Sequence, residues 1–392
     1  VHKRRILVVS HDSVTLLNQQ IYAEVQRLTG WKFTLVLPAV WKDEFGNILR
    51  PAILPGFEAE LLSVPIWLNG NIILHAYRLD FRRFLSQGKF DLIYVNHEPY
   101  AVATAQWCWA NRRSVNLPFG FHSCQNIYKR YPVPFAWLEQ SVYRSSSFAF
   151  PVTDAITKVL REKGFTGDVT LCPFPFDPSL YHEYTEAERQ EMIRRTDGEV
   201  IIGYVGRMVE QKGLKTLIEA IALLPRRGWK LVMIGTGPYE ATVDELLKQH
   251  GLTDQTIRLG YVAHDVTPRY LGAMDILVLP SETRPNWKEQ FGRVLVEAMA
   301  CGVCVVGSDS GEIPNLIRAS GGGTVFPEAN PGALAKILQE LISDEKRRKE
   351  FARAGGVWAR ANVALPAVAS SMASAMEAAL AGKNRSNIES TH

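Results

Sequence analysis

Short apolar runs alternate with amphipathic helical stretches along this chain, and the pattern occurs twice. In the first half, residues 6–10, 33–37, 92–95, 118–121, 149–152 and 169–172 are nearly continuous in apolar side chains. Between residues 14 and 28, Leu17, Ile21, Val25 and Leu28 recur at helical spacing, which puts them on one face of a helix. The rhythm stops at Cys172-Pro-Phe-Pro-Phe-Asp-Pro178, because prolines spaced this closely cannot lie inside a helix. It restarts at 200–205 and continues through 230–234, 256–259, 276–279 and 303–307, with helical segments between. Strands that are apolar throughout are covered on both faces, and their alternation with helices makes the sheets parallel. The expected architecture is therefore α/β, with two successive βα arrays, each built on a parallel sheet. The expected divisions are residues 1–172, a connection over 173–198 with a polar helix at 185–195, a second domain over 199–362 and a last helical segment over 363–383. The polar end, 384–392, is expected to be disordered.

Composition narrows the class. A chain of 392 residues with 46% hydrophobic and 21% charged residues can bury two cores of ordinary size. No apolar run reaches the ~18 residues of a membrane span. The start, Val1-His-Lys-Arg-Arg5, leads into only four apolar residues, short of the ~7–15 of a secretory signal. It is read as a basic lead into the first strand, with a cytoplasmic location. Five scattered cysteines argue against a disulfide framework. Cys301-Gly-Val-Cys304 has no second cysteine pair or histidine nearby, so no metal site is expected there. Lys and Arg outnumber Asp and Glu in the first 172 residues but not in the remainder. A basic half favours an anionic partner, such as an anionic acceptor or peripheral contact with the inner face of a membrane. The basic-aromatic stretches over 75–85 and 128–138, which include Trp137, fit that contact or sugar stacking. No nucleic-acid motif is present.

The chemistry concentrates in the second half. Glu289-Gln-Phe-Gly-Arg-Val-Leu-Val-Glu297 places two carboxylates eight residues apart across a Phe291-Gly292 break. The spacing predicts a loop turning into a buried helix near Gly292, with Glu289 before it and Glu297 about two turns on. A helix start presents free N–H groups and a positive dipole end, which suit a phosphate. Gly203-Tyr-Val-Gly206-Arg207-Met-Val-Glu-Gln-Lys212-Gly213 follows an apolar strand. Its glycines allow close backbone approach and its cations suit a diphosphate at the strand ends. Gly235-Thr-Gly237-Pro238 and the strand end at Leu259 are weaker signals of the same kind. Glu312 reads as an exposed loop carboxylate.

These motifs resemble the donor site of family 4 glycosyltransferases, which are retaining enzymes of the group 1 type. The carriers are Pro280-Ser281, Glu289-Gln-Phe-Gly, Glu297-Ala-Met-Ala, and Gly206-Arg207 followed by Lys212-Gly213. The resemblance is strong over residues 200–326 and weaker before them. It implies the GT-B fold, with parallel sheets of two Rossmann-like domains facing each other across a cleft and a final helix, 363–383, that crosses back onto the N-terminal domain. It implies a nucleoside-diphosphate sugar (UDP-, GDP- or ADP-linked) as donor, and an acceptor hydroxyl on a sugar or lipid-linked molecule. It implies no cofactor and no metal. Arg207 and Lys212 would meet the diphosphate, Glu289 the donor sugar and Glu297 the ribose. Gly206, Gly235, Leu259, Phe291, Gly292 and Arg293 would line the donor pocket. In the first half, His122 at a strand end matches a histidine expected near the donor sugar, while His11, Asn96 and His97 fall on the acceptor side. The first loop, Ser10-His11-Asp12-Ser13, departs from the family in lacking Gly-Gly. A sugar-nucleotide epimerase, a sugar phosphorylase and a non-catalytic nucleotide-sugar-binding subunit are the alternatives that share this outline.

Overall fold

In the computed structural model, residues 3–43, 46–196 and 198–389 are described, without the side chains of 383–389. The chain forms two compact units: one runs up to Pro173 and resumes at Leu365, and the other spans Phe174–Ala364.

The first unit holds a sheet of β1 (Arg5–Val9), β2 (Lys32–Pro38), β3 (Ala59–Val64), β4 (Leu92–Val95), β5 (Phe119–Ser123), β6 (Phe148–Pro151) and β7 (Asp168–Val169). The spatial order is β7-β6-β5-β4-β1-β2-β3, and neighbours pair in parallel. The order reverses between β1 and β4, so the crevice at their carboxyl ends is where such a sheet receives ligands. Two short antiparallel hairpins, Trp41–Lys42 with Ile48–Leu49 and Ile66–Trp67 with Ala76–Tyr77, elaborate the loops after β2 and β3.

The second unit repeats the plan with β8 (Val200–Val205), β9 (Trp229–Ile234), β10 (Thr256–Gly260), β11 (Ile276–Leu279), β12 (Cys304–Ser308) and β13 (Gly323–Phe326). The order is β10-β9-β8-β11-β12-β13, again parallel. Here the reversal lies between β8 and β11. Ile202, Val278 and Val306 on its central strands share one core with Leu214, Leu217, Leu334 and Leu338 from helices covering the sheet.

Several elements differ from the sequence expectations. The helix expected over 14–28 begins only at Gln20, after two 3-10 turns, and runs to Thr29. β3 and β13 have no counterpart in the sequence reading. β3 carries a Glu-Leu-Leu-Ser interior that is only half covered, so it lacks the continuous apolar signature. Residues 173–198, expected as a connection, pack from Phe174 onward with the second unit. Their helix is Glu186–Met192, and Arg189 and Arg195 hold Asp275 at 2.6 and 2.9 Å. Asp275 also accepts the Ile201 N–H at 2.8 Å, which ties this segment to β8 and β11. The last helix, Leu365–Glu389, sends Val368, Met372 and Met376 into the first unit's core beside Ile6, Tyr22 and Val25. The expected tail is thus helical as far as Glu389, and residues 390–392 lie outside the described residues.

Candidate functional site

In the second unit the loops after β8 and β11, the strands on either side of the order reversal, carry the motif residues. After β8 the chain passes Gly206 and Arg207 and makes a 3-10 turn, Glu210–Lys212. Gly213, at φ 66°, then admits the helix Leu214–Ala222. A Cβ on Gly213 would stand 1.9 Å from the Pro280 carbonyl oxygen. That contact is available only to glycine, and it draws the β8 loop against the β11 loop.

The result is an ion pair: Lys212 Nζ lies 2.7 Å from Glu289 Oε2. The buried Ser281 hydroxyl donates to the same oxygen at 2.7 Å. Lys212 also stands 5.3 Å from the centroid of the Trp287 ring. An ammonium has three N–H donors, so Lys212 can hold Glu289 and still donate to a ligand. Arg207 is exposed, and its carbonyl is fixed by the Tyr204 hydroxyl at 2.9 Å. Gly235 abuts this loop, since a Cβ there would lie 2.0 Å from the Gly206 oxygen. The Gly235 N–H donates to the Gly260 carbonyl at 2.7 Å, next to half-buried Leu259. Gly206, Gly235 and the end of β10 therefore form one continuous backbone rim.

After Glu289 come buried Phe291 and Gly292; Gly292, in the left-handed region, caps the helix Arg293–Ala300. Glu297 is the fifth residue of that helix, little more than one turn in rather than two, because the helix starts four residues after Glu289. Arg293 Nε donates to Glu297 Oε1 at 2.8 Å. Burial raises the Glu297 carboxyl above its usual range, and the Arg293 charge pulls it back. The loop and the helix start thus offer a carboxylate on each side of a row of free backbone N–H groups.

Sequence reasoning missed part of this support. Glu312, expected to be exposed, is 8% exposed, and its N–H donates to the Glu289 carbonyl at 3.1 Å. A Cβ on Gly311 would come within 2.0 Å of that same carbonyl oxygen. The signal available was the glycine before Glu312, just past a strand end. Ser281, which the sequence offers only as part of the Pro280-Ser281 motif, is another such support through its bond to Glu289. Cys301 and Cys304 are buried free thiols, and burial pushes Cys304 up to about 12.

In the first unit, His11 follows β1, Asn96 and His97 follow β4, and His122 lies in β5. His11 and His97 are brought together, with ring centroids 4.5 Å apart. Asn96 reaches Ser10 Oγ only at 3.4 Å. His122 Nε2 lies 3.2 Å from Cys124 Sγ. Burial lowers His122 to about 4, with Asp12 pulling the other way, so the ring is neutral near pH 7. Glu98 holds the end of β5: it accepts the Cys124 N–H at 2.6 Å and the Ser123 hydroxyl at 2.9 Å. Burial raises Glu98 to about 7 against those hydrogen bonds. Among the described residues, no helix is long and apolar enough to cross a membrane.

Residues 186–358 match the family model described as glycosyl transferases group 1. Over 233 residues the chain is 28% identical to an alpha-D-kanosaminyltransferase of Streptomyces kanamyceticus, covering 58% of this chain and 59% of that one. Over 161 residues it is 32% identical to a GDP-mannose-dependent alpha-(1-6)-phosphatidylinositol monomannoside mannosyltransferase of Mycobacterium tuberculosis, covering 40% and 42%. The chain spans about half the length of the curated relatives it matches. Among solved structures, sucrose-phosphate synthase of Thermosynechococcus elongatus superposes with a TM-score of 0.74 at 18% identity, over 97% of this chain and 100% of that one. HepE of Anabaena, in complex with UDP, superposes with a TM-score of 0.75 at 19% identity, over 95% and 100%. The α/β fold with two parallel sheets is the GT-B fold of these glycosyltransferase structures.

Proposed function

We propose that this chain is a nucleotide-sugar-dependent glycosyltransferase that moves a hexosyl group from a nucleoside diphosphate to an acceptor hydroxyl, with retention of anomeric configuration. The observation that carries the reading is the Lys212–Glu289 pair at the β8/β11 reversal, beside the start of the helix Arg293–Ala300. A parallel sheet binds ligands at this point, and a helix start favours a diphosphate. The family match over residues 186–358 covers all of these residues.

In this reading the acceptor oxygen forms a bond to the anomeric carbon as the bond from that carbon to the diphosphate breaks. Negative charge grows on the departing diphosphate, where Arg207, Lys212 and the helix amides oppose it. Glu289 hydrogen-bonds sugar hydroxyls, and its pair with Lys212 couples the sugar contact to the phosphate contact. Glu297 meets the ribose, while Gly206, Gly235 and Leu259 line the rest of the nucleotide pocket. His122, His11, Asn96 and His97 belong to the unit that presents the acceptor. The countercharge comes from side chains and amides, so no metal is assigned to the leaving group. The mannosyltransferase relative acts on a phosphatidylinositol monomannoside, which supports a lipid-linked acceptor as one class to test. So does the cluster of exposed Trp67, Leu68, Ile72, Ile73 and Leu74.

The test is a thermal-shift screen with UDP, GDP, ADP and their sugars, followed by a diphosphate-release assay with sugar and lipid-linked acceptors. A ligand bound by the native state raises Tm by mass action. Stabilisation by one nucleotide series, with acceptor-dependent release, is the expected result. Conversion of the donor without an acceptor, or consumption of inorganic phosphate instead of a nucleotide, would overturn the reading.

A further inference from the structure

Three histidines from separate parts of the sequence meet in the first unit. His11 follows β1, His97 follows β4, and His75 comes from the hairpin Ile66–Trp67/Ala76–Tyr77. All three are buried, at 5%, 1% and 6% exposure for His11, His75 and His97. Each offers a ring nitrogen within 4.8 Å of the other two. Their ring centroids lie 4.5, 5.2 and 5.3 Å apart. Imidazoles bound to one tetrahedral metal, with metal–nitrogen bonds of ~2.0–2.1 Å, have ring centres roughly 5 Å apart. We infer that His11, His75 and His97 form a binding site for one divalent transition metal of the zinc class.

The hydrogen bonds around the rings suit that role. A histidine ligand ordinarily donates its second ring N–H to a carboxylate or a backbone carbonyl, which fixes the tautomer and turns the other lone pair toward the metal. His11 Nε2 is 3.0 Å from Asp12 Oδ1, and its Nδ1 is buried with no hydrogen-bond partner. A buried polar atom in that state calls for an explanation, and a metal supplies one. His75 Nδ1 lies 3.1 Å from the carbonyls of both Asn71 and Ile72, leaving Nε2 as the lone-pair nitrogen. His97 Nε2 is 2.8 Å from the Ile72 carbonyl, while its Nδ1 accepts the Glu98 N–H at 2.8 Å. Ligation by His97 therefore exchanges one existing hydrogen bond, which makes it the weakest of the three donors. The Asp12 carboxylate offsets part of the metal's charge. Trp41 packs on His11 and His75 at 4.7 and 5.1 Å between ring centroids and shields the site. Nitrogen donors without a carboxylate cage select zinc, cobalt, nickel or copper over magnesium and calcium. Such an ion would fasten the hairpin to the loops after β1 and β4.

The site lies in a different unit from the donor residues, so its test does not depend on glycosyl transfer. The full chain, freed of any affinity tag and stripped with chelator, is titrated with Co2+ and with Zn2+. Calorimetry is expected to give one equivalent, Co2+ to show the visible absorption of a low-symmetry site, and Tm to rise with Zn2+ but not with Mg2+. His11→Ala and His75→Ala should each weaken Co2+ binding roughly tenfold or more. His182→Ala, an exposed histidine of the second unit, should leave it unchanged. Failure of the wild-type chain to take up Co2+ at micromolar protein overturns the inference whatever the variants do. So does uptake that survives both triad substitutions.

Discussion

Replacing Lys212 by Met separates the two tasks assigned to this side chain. The Glu289 carboxylate is 10% exposed and shares one oxygen between Lys212 and Ser281. Removing one partner of a buried pair costs ~3–5 kcal/mol when both are fully desolvated. Lys212 keeps 20% of its side chain exposed, so screening reduces the cost to about 1–3 kcal/mol. For a unit of this size that lowers Tm by roughly 2–10 °C. Adding Glu289→Gln removes the stranded charge and should recover most of the lost stability. Turnover should behave differently. Loss of a cation facing the leaving diphosphate costs on the order of 10²-fold, about 2.7 kcal/mol, and neutralising Glu289 cannot restore it. The assays are thermal melting of the three proteins and diphosphate release from the preferred sugar nucleotide. Recovery of turnover in the double variant, or wild-type turnover in Lys212→Met, would refute the reasoning.

The two glutamates should also separate. Glu289→Gln should reduce turnover with little change in calorimetric affinity for the free diphosphate, whereas Glu297→Ala should weaken both diphosphate and sugar nucleotide; equal losses in the two variants would break this division of labour. Arg207→Ala, in an exposed loop position, should keep its Tm and lose on the order of 10²-fold in turnover. In the proposed mechanism the phosphate charge is met by Arg207 and Lys212, and the inferred metal lies in the other unit, so with EDTA initial rates should persist while Tm falls; a rate that disappears with the metal would contradict the mechanism. His122 is about 4 in the folded chain against ~6.5 unfolded. The unfolded state therefore binds the proton first, and His122 contributes at most about 3 kcal/mol above pH ~6.5 that is lost as pH falls toward 4; His122→Gln should flatten that part of the Tm–pH curve. Finally, exposed Trp67, Leu68, Ile72, Ile73 and Leu74 lie close in sequence to exposed Arg78, Arg82 and Arg83. Sedimentation with anionic vesicles should show binding that weakens with salt, and Ile72→Asp with Ile73→Asp should reduce it; equal binding to neutral vesicles would count against it.

By itself the sequence determined the parts whose physics is local. Continuous apolar runs such as Ile6-Leu-Val-Val9 and Val303-Cys-Val-Val306 identify strands buried on both faces, and prolines 173, 175 and 178 mark where the first array ends. Gly206-Arg207, Lys212-Gly213 and the Glu289–Glu297 spacing singled out the loops after β8 and β11 that are proposed to hold the donor, because close backbone approach and charge opposite a diphosphate require particular residue types. The half-covered β3 and the short β13 were not legible, since a strand that hides only part of its surface lacks the apolar signature. Only tertiary structure decided that Lys212 pairs with Glu289, 77 residues away, through a contact at Gly213 that tolerates no side chain. Burial of Glu312 came the same way, from the β12 loop packing against the Glu289 backbone. The meeting of His11, His75 and His97 was likewise invisible in the sequence. Its partners are 64 and 22 residues apart, and sheet order β4-β1-β2-β3 with a hairpin folding back, rather than any sequence spacing, sets their distance.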